Sequence, residues 1–164
     1  MTASSADMNF LCLNHRDQAN IFILGGIDDI FTLLEDNQVT LQTMMGSRFI
    51  VGVREEVELW SKKLSLLSET LDEWLAFQRN WMYLETIFCA EDIQKQLPVE
   101  SQKFMTVDKM WKIVMKQTND APKVINSIDD GSSLLEKFQQ ANLILESVQK
   151  SLEDYLETKR MAFP

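Results

Sequence analysis

The sequence predicts an all-α fold: an elongated antiparallel helical bundle with two long heptad-patterned helices and shorter helices between them. Apolar residues recur three and four positions apart over long stretches, and no stretch alternates between apolar and polar residues as a strand would. The chain contains only 5 Gly and 3 Pro, which is unlike a sandwich or a barrel. Its 164 residues, 45% of them hydrophobic, are enough for one domain with a sizeable core and almost no strand.

Charge and composition argue against several classes of partner. The chain has 16 Lys and Arg against 25 Asp and Glu, a net charge of −9, so nucleic acid and anionic membranes are poor partners. No apolar run approaches the roughly 18 to 20 residues that span a bilayer. The two cysteines are too few for a disulfide framework. We therefore expect a soluble protein of the cytoplasm.

The first part of the chain divides into an irregular lead and a helix. Residues 1–20 are mixed and polar, and we expect them to be poorly ordered and to contribute nothing to the core. A helix is predicted over 27–45, because apolar residues recur there at helical spacing. Asp28 and Asp29 fall in its first turn, where the helix dipole favours anions.

The longest predicted helix runs from Arg54 to Phe88 and would be roughly 50 Å long. Its apolar residues step by four and three up to Leu71, and then by three and three to Trp74 and Phe77. Such a change is equivalent to a three-residue insertion, so the contact stripe should rotate there, and the helix should either overwind or change partner.

Three more helices are predicted after it. A short helix over 91–96 ends before Pro98, and a third main helix follows to about Gln117. A long last helix begins with a capping box at Ser133 and ends near Arg160.

Residues on the helical stripes are expected to form a structural core. They are Trp60, Leu64, Leu67, Leu71, Trp74, Phe77, Trp81, Leu84, Phe88, Trp111, Phe138, Leu145, Leu152 and Tyr155. Gln78 and Glu85 occupy positions where a strict heptad would place apolar residues. We interpret them as moved off the contact stripe by its rotation, rather than as a device that fixes register.

No catalytic, cofactor-binding or metal-binding residues are predicted. His15 is the only histidine, so histidine pairs and dyads lack a second member, and we interpret it as a solvated loop residue. The glycines at 25–26 are not followed by a phosphate-binding lysine. The acidic pair at 129–130 lacks the acid that ends a calcium loop and is read as a turn. Cys89 is interpreted as a buried structural cysteine.

Three stretches carry a resemblance to a known family. The run LDEWLAFQRNWMYLETIFCAEDIQKQLPVESQKF, at 71–104, resembles the linker domain of dynein heavy chains. The stretch at 24–49 is similar to the family's opening. The stretch at 135–164 is similar to the family's later long helix and resembles axonemal heavy chains more than cytoplasmic ones. The resemblance covers 21–164, as a partial linker bundle, and leaves out 1–20.

The resemblance implies a mechanical function. In the family the linker is an all-helical arm that lies across a ring of AAA+ ATPase modules, and its bending delivers the power stroke. It implies a rigid helical lever in the axoneme, without a cofactor or an ATPase activity of its own. The implied partners are the rest of the linker and the AAA+ ring in the intact heavy chain. Other dynein subunits and microtubules would be reached only through the whole motor.

The family continues past the end of this sequence, so apolar side chains near that end should be exposed. The candidates are Tyr155, Met161 and Phe163. An alternative function is a free-standing acidic adaptor whose bundle binds a partner helix. An enzyme with carboxylates on facing helices is less favoured, because no Glu-x-x-His pair occurs.

Overall fold

The computed structural model describes residues 8–15, 21–46, 54–124 and 134–161. Within these ranges the fold is mostly helical, as predicted. Its elements are β1 (Leu11–Asn14), β2 (Phe22–Gly25), α1 (Ile27–Met45), α2 (Arg54–Phe88), α3 (Glu91–Gln96), α4 (Pro98–Asp120) and α5 (Leu134–Met161).

Glycine and proline mark the helix boundaries. Gly26 precedes α1 with a φ of 59°, a left-handed conformation that favours glycine. Gly46 follows the last residue of that helix, and its backbone N–H still donates to the carbonyl of Gln42. Pro98 begins α4, where its missing N–H costs nothing because first-turn amides have no partner within the helix.

Helix α2 is the central element. It packs against α1 and most extensively against α5, and it also contacts α3 and α4. Helix α4 packs in turn against α5. The fully buried side chains along α2 include Leu67, Phe77 and Leu84, so its apolar stripe is covered over most of its length.

The two strands pair with each other and lie against the helices. β1 is antiparallel to β2, with Cys12 opposite Leu24. On the N-terminal side of β1, the N–H of Phe10 donates to the carbonyl of Pro122 at 2.7 Å. Both strands contact α4, so the strand pair is part of the domain's packing.

The strand pair corrects the expectation for the beginning of the chain. The described residues 8–15 are not an irregular lead, because Leu11–Asn14 form a strand. They also contribute to the core, since Phe10 is only 6% exposed. A four-residue strand is too short to show a recognisable alternation of apolar and polar residues in the sequence. The strand with which it pairs is fixed only by tertiary contacts.

Some expectations lie outside the described residues. They are the capping box at Ser133, the turn at 129–130, the exposure of Phe163, and the parts of the lead at 1–7 and 16–20. Among the helices that are described, none combines the length and the hydropathy needed to cross a bilayer.

Candidate functional site

Seven ring side chains contact one another in a continuous series through the core, which we name the aromatic row. Its members, in contact order, are Phe10, Trp74, Phe138, Phe77, Trp111, Trp81 and His15. The centroids of successive rings are 4.8 to 5.7 Å apart. The row connects the segment before β1 with α2, α4 and α5. A separate stacked pair, Phe88 and Phe104, joins α2 to α4 at 5.5 Å.

The partner of α2 changes along the row, as the rotated stripe predicts. Trp74 contacts Phe138 of α5, whereas Trp81 stacks on Trp111 of α4 at 5.2 Å. Phe77 contacts both neighbouring helices. Each aromatic pair stabilises by about 0.5 to 1.5 kcal/mol beyond the burial of its surface. Interlocked rings also leave few alternative packings, which favours stiffness.

A buried carboxylate joins α2 to α4. The indole Nε1 of Trp81 donates to Oδ1 of Asp108 at 2.8 Å. The ammonium of Lys112 contacts Oδ2 of the same carboxylate at 2.8 Å. Asp108 is only 8% exposed, and both of its oxygens have a partner, which a buried charge requires. Sequence reasoning missed Asp108, although it lies four residues after Phe104 and three before Trp111, on the apolar side of α4.

Gln78 binds β2 to α2. Its amide oxygen accepts the backbone N–H of Leu24 at 2.8 Å, and its amide nitrogen donates to the Leu24 carbonyl at 3.3 Å. The side chain therefore completes the backbone hydrogen bonds of Leu24. A glutamine amide can do this because it carries both a donor and an acceptor.

His15 and Glu85 form a second polar contact between the N-terminal segment and α2. The Nε2 of His15 lies 3.1 Å from Oε1 of Glu85, and the imidazole lies 5.0 Å from the ring centroid of Trp81. His15 is 4% exposed, so the expectation of a solvated loop residue is wrong. The sequence around a single histidine does not indicate whether distant elements will bury its side chain.

These contacts show what Gln78 and Glu85 do beside the contact stripe. As interpreted above, neither belongs to the buried stripe of α2. The structure shows that each one bonds the segment that contains the two strands. The signal was present in the sequence, since a polar residue at a heptad position indicates a specific polar partner.

Helix α5 is bonded to α2 by one more polar contact. The amide nitrogen of Asn142 donates to the carbonyl of Glu73 at 3.0 Å and to its Oε2 at 2.7 Å. Asn142 is 6% exposed and lies among the apolar residues that α5 turns towards α2.

Most of the expected core residues are buried. At most 1% of the surface is exposed at Leu64, Leu67, Leu71, Trp74, Phe77, Trp81, Leu84, Phe88, Trp111, Phe138, Leu145 and Leu152. Trp60 and Tyr155 are only partly buried, although both are expected in the core; Tyr155, also a candidate for exposure, lies between the two expectations. Each ring has a lysine ammonium above it, from Lys63 and Lys159. Periodicity shows which face of a helix is apolar, but not whether another element covers it there.

The exposure of the last helix and of the cysteines completes the comparison with the sequence. Met161 is 78% exposed, as expected. Cys89 is exposed rather than buried, because it follows the last residue of α2. Its Sγ donates to the carbonyl of Thr86 at 3.1 Å. Burial raises the pKa of the Cys12 thiol above its ordinary value.

The other candidate motifs have structural explanations. A Cβ at Gly25 would lie 2.6 Å from Cδ1 of Leu13, so the glycine leaves room for the Leu13 side chain as it is placed here. In the ranges that the structure describes, no three His, Cys, Asp or Glu side chains form a group that could bind a metal ion.

Comparisons with known proteins point to one family. The family model described as "Dynein heavy chain, N-terminal region 2" matches residues 1–164, and so includes the first twenty residues. The chain is 47% identical to Dynein axonemal heavy chain 6 of Homo sapiens over 155 residues, 94% of this chain and 4% of that protein. It is 43% identical to Dynein axonemal heavy chain 12 of Mus musculus over 164 residues, 100% of this chain and 5% of that protein. The chain therefore spans about one-twentieth of the length of these relatives.

Proposed function

The chain belongs to the dynein heavy chain family, in which it matches N-terminal region 2 over its whole length, and from this we propose that it is a stiff segment of the linker. In this role the domain transmits force between the AAA+ ring and the rest of the heavy chain and hydrolyses no nucleotide itself. We place the start of the domain before residue 21, so that β1 and His15 belong to it, because β1 pairs with β2 and His15 contacts Glu85.

The aromatic row is the observation that carries this proposal. It crosses α2, α4 and α5, and four of its seven members, Trp74, Trp81, Trp111 and Phe138, are at most 1% exposed. A lever must resist bending under load. Side chains that interdigitate at close-packed density resist displacement, because any shift of one helix creates voids or clashes at the others.

The names of the relatives guide the proposed location and partners. The relatives are named as axonemal heavy chains, so we assign the chain to the axoneme of a cilium or flagellum. Its direct partners would be the remaining linker and the AAA+ ring of the same heavy chain. Microtubules and the other dynein subunits would be reached only through the complete motor.

The test is made in a complete heavy chain that carries this segment. Trp111→Ala removes the ring that contacts both Phe77 and Trp81. Such a truncation of a buried Trp costs about 3 to 5 kcal/mol and leaves a cavity between α2 and α4. We expect slower microtubule gliding, while ATP hydrolysis measured without microtubules stays unchanged.

An exposed valine of α1 provides the control variant. Val39→Ala changes a side chain that is 60% exposed on α1, and it should alter neither gliding nor hydrolysis. Normal gliding by the Trp111→Ala motor, with a domain that is measurably less stable in isolation, would show that the stiffness of this segment does not matter to the stroke.

A further inference from the structure

One attachment of the N-terminal segment to the helices involves a side chain that changes its charge near neutral pH. Residues 8–15 and 21–25, which we name the clasp, contain both strands. Among the side chains of the clasp, only Cys12 and His15 can ionise. Burial raises the pKa of the Cys12 thiol, which keeps it neutral there. Histidines, in contrast, ordinarily gain or lose their proton between about pH 5 and pH 8.

The groups that touch the imidazole of His15 both interact more favourably with its protonated form. Its Nε2 lies 3.1 Å from Oε1 of Glu85 on α2. A proton on the imidazole turns this contact into a charge-assisted hydrogen bond, which is about twice as strong as a neutral one. The ring of Trp81, with its centroid 5.0 Å away, attracts a cation through its π-system.

The other charged groups around this contact add no net charge. Asp108 and Lys112 of α4 line a cavity of about 270 Å³ together with Glu85, and they are paired with each other at 2.8 Å. Strand β2 carries no charged residue, and neither do the positions three and four residues from Glu85 on α2. Burial of His15 opposes a charge, but the carboxylate that faces it is 19% exposed, so water still reaches this side of the contact.

We propose that the contact between His15 and Glu85 is a pH-sensitive fastening, which holds the clasp on α2 more firmly when the imidazole is protonated. The additional hold is present at mildly acidic pH, where the imidazole is charged and the carboxylate is still ionised. It is lost as the pH rises and the proton leaves. The bonds of Gln78 and the packing of Phe10 do not titrate, so the clasp stays attached throughout and only its opening changes. Because Phe10 also bonds Pro122, the fastening acts on the connection between α2 and the residues after α4.

The test is native-state hydrogen exchange of the purified 164-residue chain at about pH 7.5 and about pH 5.5. His15 is the only histidine, so no other side chain ordinarily titrates in this interval. The reporter is the amide of residue 15, which donates to the Ile21 carbonyl at 2.8 Å. Its protection factor, which is corrected for the intrinsic pH dependence of exchange, should be about fivefold higher at the lower pH. The protection factor of Leu145 in α5 should not change.

Variants that keep the hydrogen bond but remove a charge assign the effect. His15→Gln retains a side-chain N–H donor, and Glu85→Gln retains an oxygen acceptor. Each should give the same protection factor at both pH values. Glu157→Gln, at an exposed position of α5, is the matched control and should keep the fivefold change. Arg16 and Asp17, which lie outside the described residues, are present in every variant, so a dependence that disappears in His15→Gln belongs to the imidazole.

Three results would overturn the proposal. The unchanged chain with equal protection at both pH values would show that protonation does not strengthen the contact. Lower protection at the acidic pH would show that burial of the imidazole outweighs the carboxylate. A fivefold change that persists in His15→Gln would assign the effect to another group. Circular dichroism verifies that the helices persist in each variant, and should either His15→Gln or Glu85→Gln lose them, the other provides the same test.

Discussion

At the scale of single residues, two tryptophans of the core differ in their polar contacts. Trp81 and Trp111 are stacked on each other, and both are fully buried. The indole N–H of Trp81 donates to Asp108, whereas the Nε1 of Trp111 has no partner among the described residues. The pair therefore separates the contribution of aromatic packing from that of the hydrogen bond.

We expect Trp81→Phe to destabilise the domain more than Trp111→Phe does. Both changes remove the same ring atoms, but only Trp81→Phe leaves one oxygen of a buried carboxylate without its donor, which costs about 1 to 3 kcal/mol. The measurement is the free energy of unfolding of each variant in urea. Equal losses would mean that Lys112 or water compensates Asp108 fully.

At the scale of elements, the N-terminal segment and the strand pair depend on a few side chains of α2 and on the row. Phe10 packs on Trp74 at 4.8 Å, Gln78 bonds Leu24, and Glu85 contacts His15. The strand pair itself has four residues per strand, too few to be stable alone in water. The strand pair should therefore stay ordered only while these contacts are intact.

We expect Gln78→Ala to loosen β2 without unfolding the helices. Losing both bonds to Leu24 should lower the local opening free energy by about 1 to 2 kcal/mol, since water replaces them only in part. Native-state hydrogen exchange reports this as faster exchange of the Leu24 amide, while the amide of Leu145 in α5 keeps its rate.

The exposed Gln139 of α5 gives a matched control, because Gln139→Ala removes the same side chain away from the strands. An unchanged rate at Leu24 in Gln78→Ala would show that apolar contacts such as Phe10 on Trp74 are sufficient to order the strand pair.

At the scale of the whole molecule, charge and the lack of a phosphate-binding motif lead to one expectation. The sequence has no Gly-rich loop followed by a lysine, and its net charge of −9 opposes the approach of a nucleoside triphosphate. Calorimetric titration of ATP with magnesium into the purified chain should give no saturable heat. Saturable micromolar binding would contradict the assignment of nucleotide chemistry to other parts of the heavy chain.

The helical elements could be predicted from the sequence because their signals are local. Helix α2 begins at Arg54 and ends at Phe88 as its periodicity indicates, and the step at Leu71, Trp74 and Phe77 anticipates the change of partner. Each apolar stripe also contains its own core residues, since the 3.6-residue period places them on one face. Family membership likewise follows from side chains that lie along the chain in a recognisable order.

The tertiary structure alone decided which residues complete that core and which polar groups are paired. Phe10 and His15 are buried by elements far away in the chain, and Gln78 and Glu85 find partners on the N-terminal segment. Trp60 and Tyr155 follow the pattern, yet are only partly buried because no element covers them fully. Periodicity measures the character of one helix face, whereas burial and hydrogen bonding depend on what approaches that face, and this is set by long-range packing.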